Sequence, residues 1–455
     1  MFDKNFIWGT ATSAYQIEGA YKEDGKGLSI WDTFSNDPGN TANNENGNTA
    51  CDHYHRFRDD IKLMHELGIK AYRFSISWPR IFPEGICDST HSYNEKGLEF
   101  YNNIVDCCTE YGIEPYITLY HWDLPDALEQ KGGWLNRETA YHFADYAEFI
   151  CRHFSGKVKC IATINEPQII SGLGYWLGLH APGHKLNAKD VLNVIHNLAL
   201  AHGLAVERIR SVSADVITGF SSTGNLCYPK TESKEDIDAA KNATFMAEGK
   251  NWTFSHHIFC DMACLGRYPD IKSGYFKSAP ELQPFSSYEE LDFVKESDIN
   301  IICQPVDFLG VNVYNGHQVS KDGVVPRKTG FPRTSLGWPV TPEVMDYGIR
   351  FLYERYNLPI IITENGLACN DVVSLDGKIH DPGRIDFLAR YINNLEKAYK
   401  SGVPILGYFH WSFMDNFEWH SGFDPRFGLV YVDFETQERI PKDSFYWYQN
   451  LIKEK

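Results

Sequence analysis

Two glutamates stand at the ends of apolar, β-branched runs. Ile161-Ala162-Thr163-Ile164 stops at Asn165-Glu166-Pro167, and the run through residues 359–363 stops at Glu364-Asn365. A strand that only needs a solvated end accepts almost any polar residue. Here each glutamate has an asparagine beside it. Taken singly, either reads as a surface carboxylate, Arg73 as a structural ion-pair partner, and His121, Trp411 and Trp419 as core. Taken with Gln16, Trp122 and Glu418, which lie in or after other such runs, they read as a site. The chemistry this set suits is sugar chemistry. A pyranose has an apolar C–H face that stacks on indole and a rim of hydroxyls that needs donors and acceptors. Cleaving a glycosidic bond takes two carboxyl groups, held about 5–5.5 Å apart in retaining enzymes. The set lacks the His and Asp residues of a metal cage and the Gly-rich loop that cradles phosphate. Cys260, Cys264, His256 and His257 do not make up the difference, because zinc sites usually pair cysteines two to four apart twice over. No metal and no organic cofactor are expected.

Something must bring these residues together. Eight short runs read as strands: residues 6–12, 71–77, 114–120, 160–165, 215–220, 307–313, 359–365 and 405–411. Several are apolar throughout, as in a parallel sheet buried on both faces. Between them lie helix-like segments at 52–67, 94–111, 137–154, 188–211, 342–356, 384–401 and 442–452. Gly68, Gly112 and Gly402 sit where left-handed helix caps occur. Eight strands alternating with helices predict an α/β fold, a single (β/α)8 barrel over residues 1–455 with its site at the C-terminal strand ends. An open doubly wound sheet would want a Gly-rich turn after its first strand, and residues 6–16 supply none. In the barrel, the strand ends bring Gln16 and Glu18, Arg73, His121-Trp122-Asp123, Asn165-Glu166, Asn312 and Tyr314, Glu364-Asn365, and Trp411 with Asp415, Glu418 and Trp419 to one mouth. The long stretches 24–50, 221–304 and 312–341 all follow strands, on that same face.

Composition narrows the function. The 455 residues are 43% hydrophobic and 23% charged, with a net charge of −17, which is a globular composition. Nucleic-acid binding wants a clustered positive face, and no Lys/Arg run exists. No segment approaches the roughly 20 apolar residues of a membrane helix. No apolar stretch of about 7–15 residues follows a basic start, so no export signal is expected. Eleven scattered cysteines without a CxxC then read as reduced thiols in the cytoplasm, and the Asn-x-Thr patterns at Asn242 and Asn251 as chance. The partners expected are small-molecule β-glycosides or oligosaccharides, with no nucleic acid and no membrane. A homo-oligomer is compatible with the sequence.

The residues also resemble a known family. FIWGTATSAYQIEGA (6–20), YRFSISWPRIFPEG (72–85), HWDLP (121–125), TINEP (163–167), HAPG (180–183), HNLALAHG (196–203), ITENG (362–366), DGKIHDPGRIDFL (376–388), WSFMDNFEW (411–419) and GFDPRFGLVYVDF (422–434) are similar to glycoside hydrolase family 1, the β-glucosidase family, nearly end to end. TINEP with ITENG is highly specific for it. The resemblance implies hydrolysis of β-linked sugars with retention. It implies Glu166 as general acid/base and Glu364 as nucleophile, with Arg73 and Tyr314 hydrogen-bonding the nucleophile. It further implies Asn165 on the sugar 2-hydroxyl; Gln16, His121, Trp122, Glu418 and Trp419 around the other hydroxyls; Trp411 as stacking platform; and Trp338 with Phe427 at the aglycone. Those roles make an electrostatic demand. Glu166 must start protonated, raised by burial and by Glu364, while Arg73 and Tyr314 keep Glu364 ionised. Once a glycosyl-enzyme forms, Glu364 loses its charge and Glu166 becomes a base.

Within the family, 6-phospho-β-glycosidases replace the carboxylate and indole of the last loop by a Ser/Lys/Tyr phosphate pocket, and thioglucosidases replace the acid/base glutamate. Glu418, Trp419 and Glu166 therefore favour unphosphorylated O-glucosides. A transglycosidase would use the same two glutamates, and a non-catalytic sugar-binding protein would have lost one. Residues 86–97, Gln168-Ile169-Ile170 and residues 220–231 depart from the family pattern. Pro167 is expected to keep Glu166 out of helical geometry and extended at the rim.

Overall fold

The computed structural model describes residues 2–88, 90–247, 249–272, 274–276 and 279–454. Its centre is a closed barrel of eight strands: β1 (Ile7–Ala11), β2 (Ala71–Ser75), β3 (Glu114–Tyr120), β4 (Cys160–Asn165), β5 (Ile217–Ser222), β6 (Phe308–Asn312), β7 (Ile360–Asn365) and β8 (Ile405–Trp411). Every neighbouring pair is parallel, and β1 closes the ring by pairing with both β2 and β8. In register, Ala11 pairs with Arg73 on one side and Trp411 on the other. The eight sequence-predicted strands are these eight, so the open-sheet alternative falls.

Their burial follows the sequence: all five residues of β2 and all six of β7 are buried. One set of side chains points inward, including Ala11, Ala71, Tyr116, Ala162, Phe308 and Phe409. Tyr116 of β3 meets Phe409 of β8 with ring centroids 5.2 Å apart, although these strands are not neighbours. The interior is thus a packed core rather than a pore.

Helices α1 (His53–Leu67), α2 (Glu95–Glu110), α3 (Glu138–His153), α4 (Ala188–Val212), α5 (His257–Leu265), α6 (Val344–Tyr356), α7 (Pro382–Lys400) and α8 (Asp443–Glu454) follow the strands in turn. In α1 the apolar spacing buries Ile61, Met64 and Leu67 completely, each contributing about 1.5–3 kcal/mol. Gly68 stops α1 at φ 88°, its N–H donating to Met64 O and His65 O, a conformation that costs a residue with a Cβ. α5 was not visible in the sequence pattern. Neither were two small sheets: Val430–Val432 with Arg439–Pro441, and Cys227–Pro229 with His317–Ser320 and Gly323–Val324. The second sheet ties the loop after β5 to the loop after β6. Among the described residues no helix is long and apolar enough to cross a membrane.

Candidate active site

At the C-terminal end of β4 the strand register slips between Ala162 and Asn165, and on β7 it slips between Ile362 and Glu364. Such irregularities re-aim side chains, and both occur at the candidate glutamates. Glu166 is not extended as expected. It sits in the left-handed region (φ 49°, ψ 65°), directly before a helical turn that opens with Pro167. Pro167 did exclude the right-handed helical well from Glu166. The other allowed well was chosen because the Glu166 N–H donates to Ser221 O at 2.8 Å and Pro167 starts the turn without needing a donor. On β7, Gly366 ends the run because a Cβ there would lie 1.7 Å from the Trp411 carbonyl oxygen.

Glu364 is gripped from two sides. Arg73 Nη1 donates to its Oε1 at 2.7 Å and the Tyr314 hydroxyl donates to its Oε2 at 2.7 Å. The other arm of Arg73, Nη2, donates to Asn165 Oδ1 at 2.6 Å. Asn312 Nδ2 donates to that same oxygen at 3.1 Å and to Glu166 Oε1 at 2.8 Å. The two carboxylates are therefore joined through Arg73, Asn165 and Asn312, with Thr363 Oγ1 fixing the Asn312 amide by donating to its Oδ1 at 2.6 Å. Glu166 is 6% and Glu364 4% exposed, so these contacts act away from bulk water.

The carboxylates open onto a cavity of about 680 Å³. His121, Trp122, Trp411, Glu418 and Trp419 form its inner wall. Trp122 and Trp419 lie with ring centroids 4.5 Å apart, and His121 stacks near Trp411 at 5.8 Å and Trp419 at 6.0 Å. The Trp122 indole donates to Asn165 O at 2.9 Å. Trp338, Tyr314, Leu336, Thr223 and Leu173 line the outer half.

Three of the sequence-predicted contact residues stand behind this wall. Gln16 is fully buried, and its amide donates to Phe417 O at 2.8 Å and Asn416 Oδ1 at 3.0 Å and reaches Glu418 Oε2 at 3.5 Å. Asn165 is fully buried with Oδ1 taken as described and Nδ2 donating to His121 Nε2 at 3.1 Å. Phe427, 2% exposed, packs behind Tyr314 and Trp338 at ring distances of 6.0 and 6.2 Å. Being large and apolar, it supports those rings instead of facing the cavity.

Two further carboxylates from the crowded mouth are absorbed by structure. Glu18 accepts from Arg80 Nε at 2.9 Å and from the Tyr101 hydroxyl, and Asp415 accepts from Lys442, Arg426 and the Gly428 N–H. Sequence reasoning undervalued Asn312, although it ends β6 in the same way that Asn165 ends the run of β4. Gln168, which departs from the family pattern, is buried in the cavity wall and donates to Ser222 Oγ at 3.0 Å, tying the turn after Glu166 to β5. His256 Nδ1 and Cys260 Sγ also meet Ser222 Oγ, at 2.8 and 3.3 Å.

The electrostatics divide the carboxyls. Burial, then the Glu364 charge, raises Glu166 to about 8, against the Asn312 hydrogen bond. Burial also pushes Glu364 up, but there Arg73 and Tyr314 oppose it. The ion pair belongs to Glu364, so the proton the pair holds resides on Glu166. Glu418 rises to about 8 through burial and then Glu364, against the Gln16 amide. Burial, then Arg73, holds His121 well below the usual imidazole range. It is neutral, and accepting at Nε2 leaves its proton on Nδ1. One acid, one ionised carboxylate gripped by a cation, and aromatic walls with hydroxyl-binding groups make an arrangement competent for acid-assisted displacement at a sugar carbon.

The family described as Glycosyl hydrolase family 1 matches residues 1–455. Beta-glucosidase A of Thermotoga maritima is 44% identical over 99% of this chain and 98% of its own length. Beta-glucosidase A of Acetivibrio thermocellus is 45% identical over the same shares. A solved structure of the Thermotoga maritima β-glucosidase, in complex with deoxynojirimycin, superposes with a TM-score of 0.87 at 43% identity and covers 99% of this chain and 98% of that one.

Proposed function

The chain belongs to glycosyl hydrolase family 1, and on that premise we propose that it is a retaining β-glucosidase acting on terminal, non-reducing β-D-glucosyl residues, and on β-galactosides or β-fucosides as well. The two relatives described above are named β-glucosidases. One observation carries the mechanism: Arg73 and Tyr314 both hydrogen-bond Glu364, whereas Glu166 touches an amide and no cation. Glu166 gives its proton to the glycosidic oxygen as the Glu364 carboxylate attacks the anomeric carbon. The C–O bond to the aglycone breaks and an ester to Glu364 forms. With the Glu364 charge consumed, one cause of the high Glu166 pKa disappears. Glu166 then takes a proton from water, which attacks the anomeric carbon and frees Glu364, so the configuration is retained. Trp411 and Trp419 stack the sugar, His121 and Trp122 serve its hydroxyls, Glu418, with the Gln16 amide behind it, serves the 4- and 6-hydroxyls, Asn165 serves the 2-hydroxyl after releasing His121, and Trp338 backed by Phe427 meets the aglycone.

Unphosphorylated sugars fit best. Among the described residues that line the cavity none is Lys or Arg, so a 6-phosphate brought beside Glu418 would meet no cation to pair with. The whole chain works as one domain, in the cytoplasm; its eleven free thiols support a reducing compartment. The test is Glu364→Ala assayed with an activated β-glucoside and azide. Hydrolysis should vanish and α-glucosyl azide should form; near-normal hydrolysis without azide would remove the nucleophile from the scheme.

A further inference from the structure

The segment DGKIHDPGRIDFL contributes nothing to the cavity, yet it meets the loop after β8 in an ion cluster whose centre is buried. Lys442 is 0% exposed. Its ammonium donates to Asp415 Oδ1 and Asp371 Oδ2, both at 2.6 Å. Arg384, also 0% exposed, donates to Asp371 at 2.7 Å, to Asp381, and to Arg426 O at 2.8 Å. Arg426 Nη1 reaches Asp415 Oδ2 at 2.8 Å, and the Gly428 N–H donates to Asp415 Oδ1 at 2.9 Å. Three cations face three carboxylates, so the cluster is neutral.

Its geometry is directed at the sugar wall. Asp415 lies three residues before Glu418, and both of its oxygens are fixed by different partners. Between them, Asn416 Oδ1 and Phe417 O accept from the Gln16 amide. Cys369 and Arg426 exchange two backbone hydrogen bonds, at 3.0 and 3.1 Å, so the loop after β7, the strand that carries Glu364, is fastened to the same cluster. Fully desolvating an ammonium is costly, and an apolar side chain of similar volume often serves stability as well or better. What the ion pairs add is a fixed direction for Asp415.

We propose that Lys442 is a positioning residue for sugar recognition: bridging Asp371 and Asp415, it fixes the segment that presents Glu418 and Trp419 to the glycosyl ring. The inference rests on the reading of Glu418 as a residue that binds the 4- and 6-hydroxyls. It gives the buried cluster a part in specificity that its distance from the cavity conceals.

The experiment compares Lys442→Met, Lys442→Arg and Glu418→Gln with the parent enzyme on 4-nitrophenyl β-D-glucoside and 4-nitrophenyl β-D-xyloside, which lacks the 6-hydroxymethyl group. In Lys442→Met the glucoside-over-xyloside ratio of kcat/KM should fall about tenfold, the worth of one well-made hydrogen bond. The glucoside loss should sit mainly in KM, and Lys442→Arg should recover part of it. If Lys442→Met loses both substrates equally while Glu418→Gln is selective, the cluster is only structural and the inference is overturned. If Glu418→Gln is itself unselective, the reading of Glu418 fails and the inference falls with it. Should Lys442→Met not fold, Arg426→Met releases the other Asp415 oxygen from a side chain at the rim and is judged by the same ratio.

Discussion

Replacing Glu364 by Gln deletes one negative charge and leaves the shape of the site in place. Glu166 stands at about 8 because burial and then Glu364 raise it. A unit charge at about 5 Å, the usual spacing of a retaining pair, is worth about 2–3 kcal/mol at an effective dielectric constant of roughly 20–40. At about 1.4 kcal/mol for each pH unit, the Glu166 titration in Glu364→Gln should fall by about one to two pH units. Arg73, released from its partner 2.7 Å away, pushes in the same direction. Burial persists, so the group should still titrate above an ordinary carboxylate. The assay is side-chain carbon NMR on protein with labelled glutamate, with the Glu166 signal assigned by its loss in Glu166→Gln. Identical titration with and without the Glu364 charge would refute the coupling, and with it the account of how one residue serves as acid and then as base.

Stability should carry the same signature. A carboxyl raised on folding binds a proton that the unfolded chain has already lost, so its stabilising contribution is complete below the unfolded value near 4.5 and is lost as pH rises towards about 8. Glu166→Gln lacks this loss, so its Tm relative to the parent should climb between pH 5 and pH 8, corresponding to a few kcal/mol; a constant difference in Tm across that range contradicts the raised value. Asn312→Ala removes the donor to Glu166 and to Asn165 and should lower kcat/KM by about 10–100-fold, the cost of leaving buried hydrogen-bond partners unmet. A change under about twofold would make Asn312 dispensable.

The barrel was legible because its strands are short, apolar on both faces and separated by amphipathic stretches of near-constant grammar. That Glu166 and Glu364 share one cavity was legible because both stand at strand ends, which a barrel gathers at one mouth. A strand-end address does not tell whether a side chain forms the wall or, as Gln16, Asn165 and Phe427 do, stands behind it. That depends on partners distant in sequence, such as Arg73 for Asn165 and Phe417 for Gln16. The left-handed Glu166 was hidden for a related reason: Pro167 excludes one backbone well, and a hydrogen bond from β5 chooses among the rest. α5 and the small sheet of residues 227–229, 317–320 and 323–324 lie in the stretch 221–341, where the repeating pattern lapses and contacts with the barrel set the local structure.

The small sheet joining residues 227–229 to 317–320 has a consequence for how such a pocket can change. It binds the loops after β5 and β6 to each other, and those loops carry Thr223, Leu226, Tyr314 and Trp338 along the outer half of the cavity. The inner half comes from the ends of β3 and β8, anchored through Gln16 and Asp415. Side chains without shared partners act nearly additively. Under the proposed function, substitutions in the β5 and β6 loops should therefore change leaving-group preference, and those at the ends of β3 and β8 sugar preference, each nearly independently of the other, with Glu166 and Glu364 between the two sets.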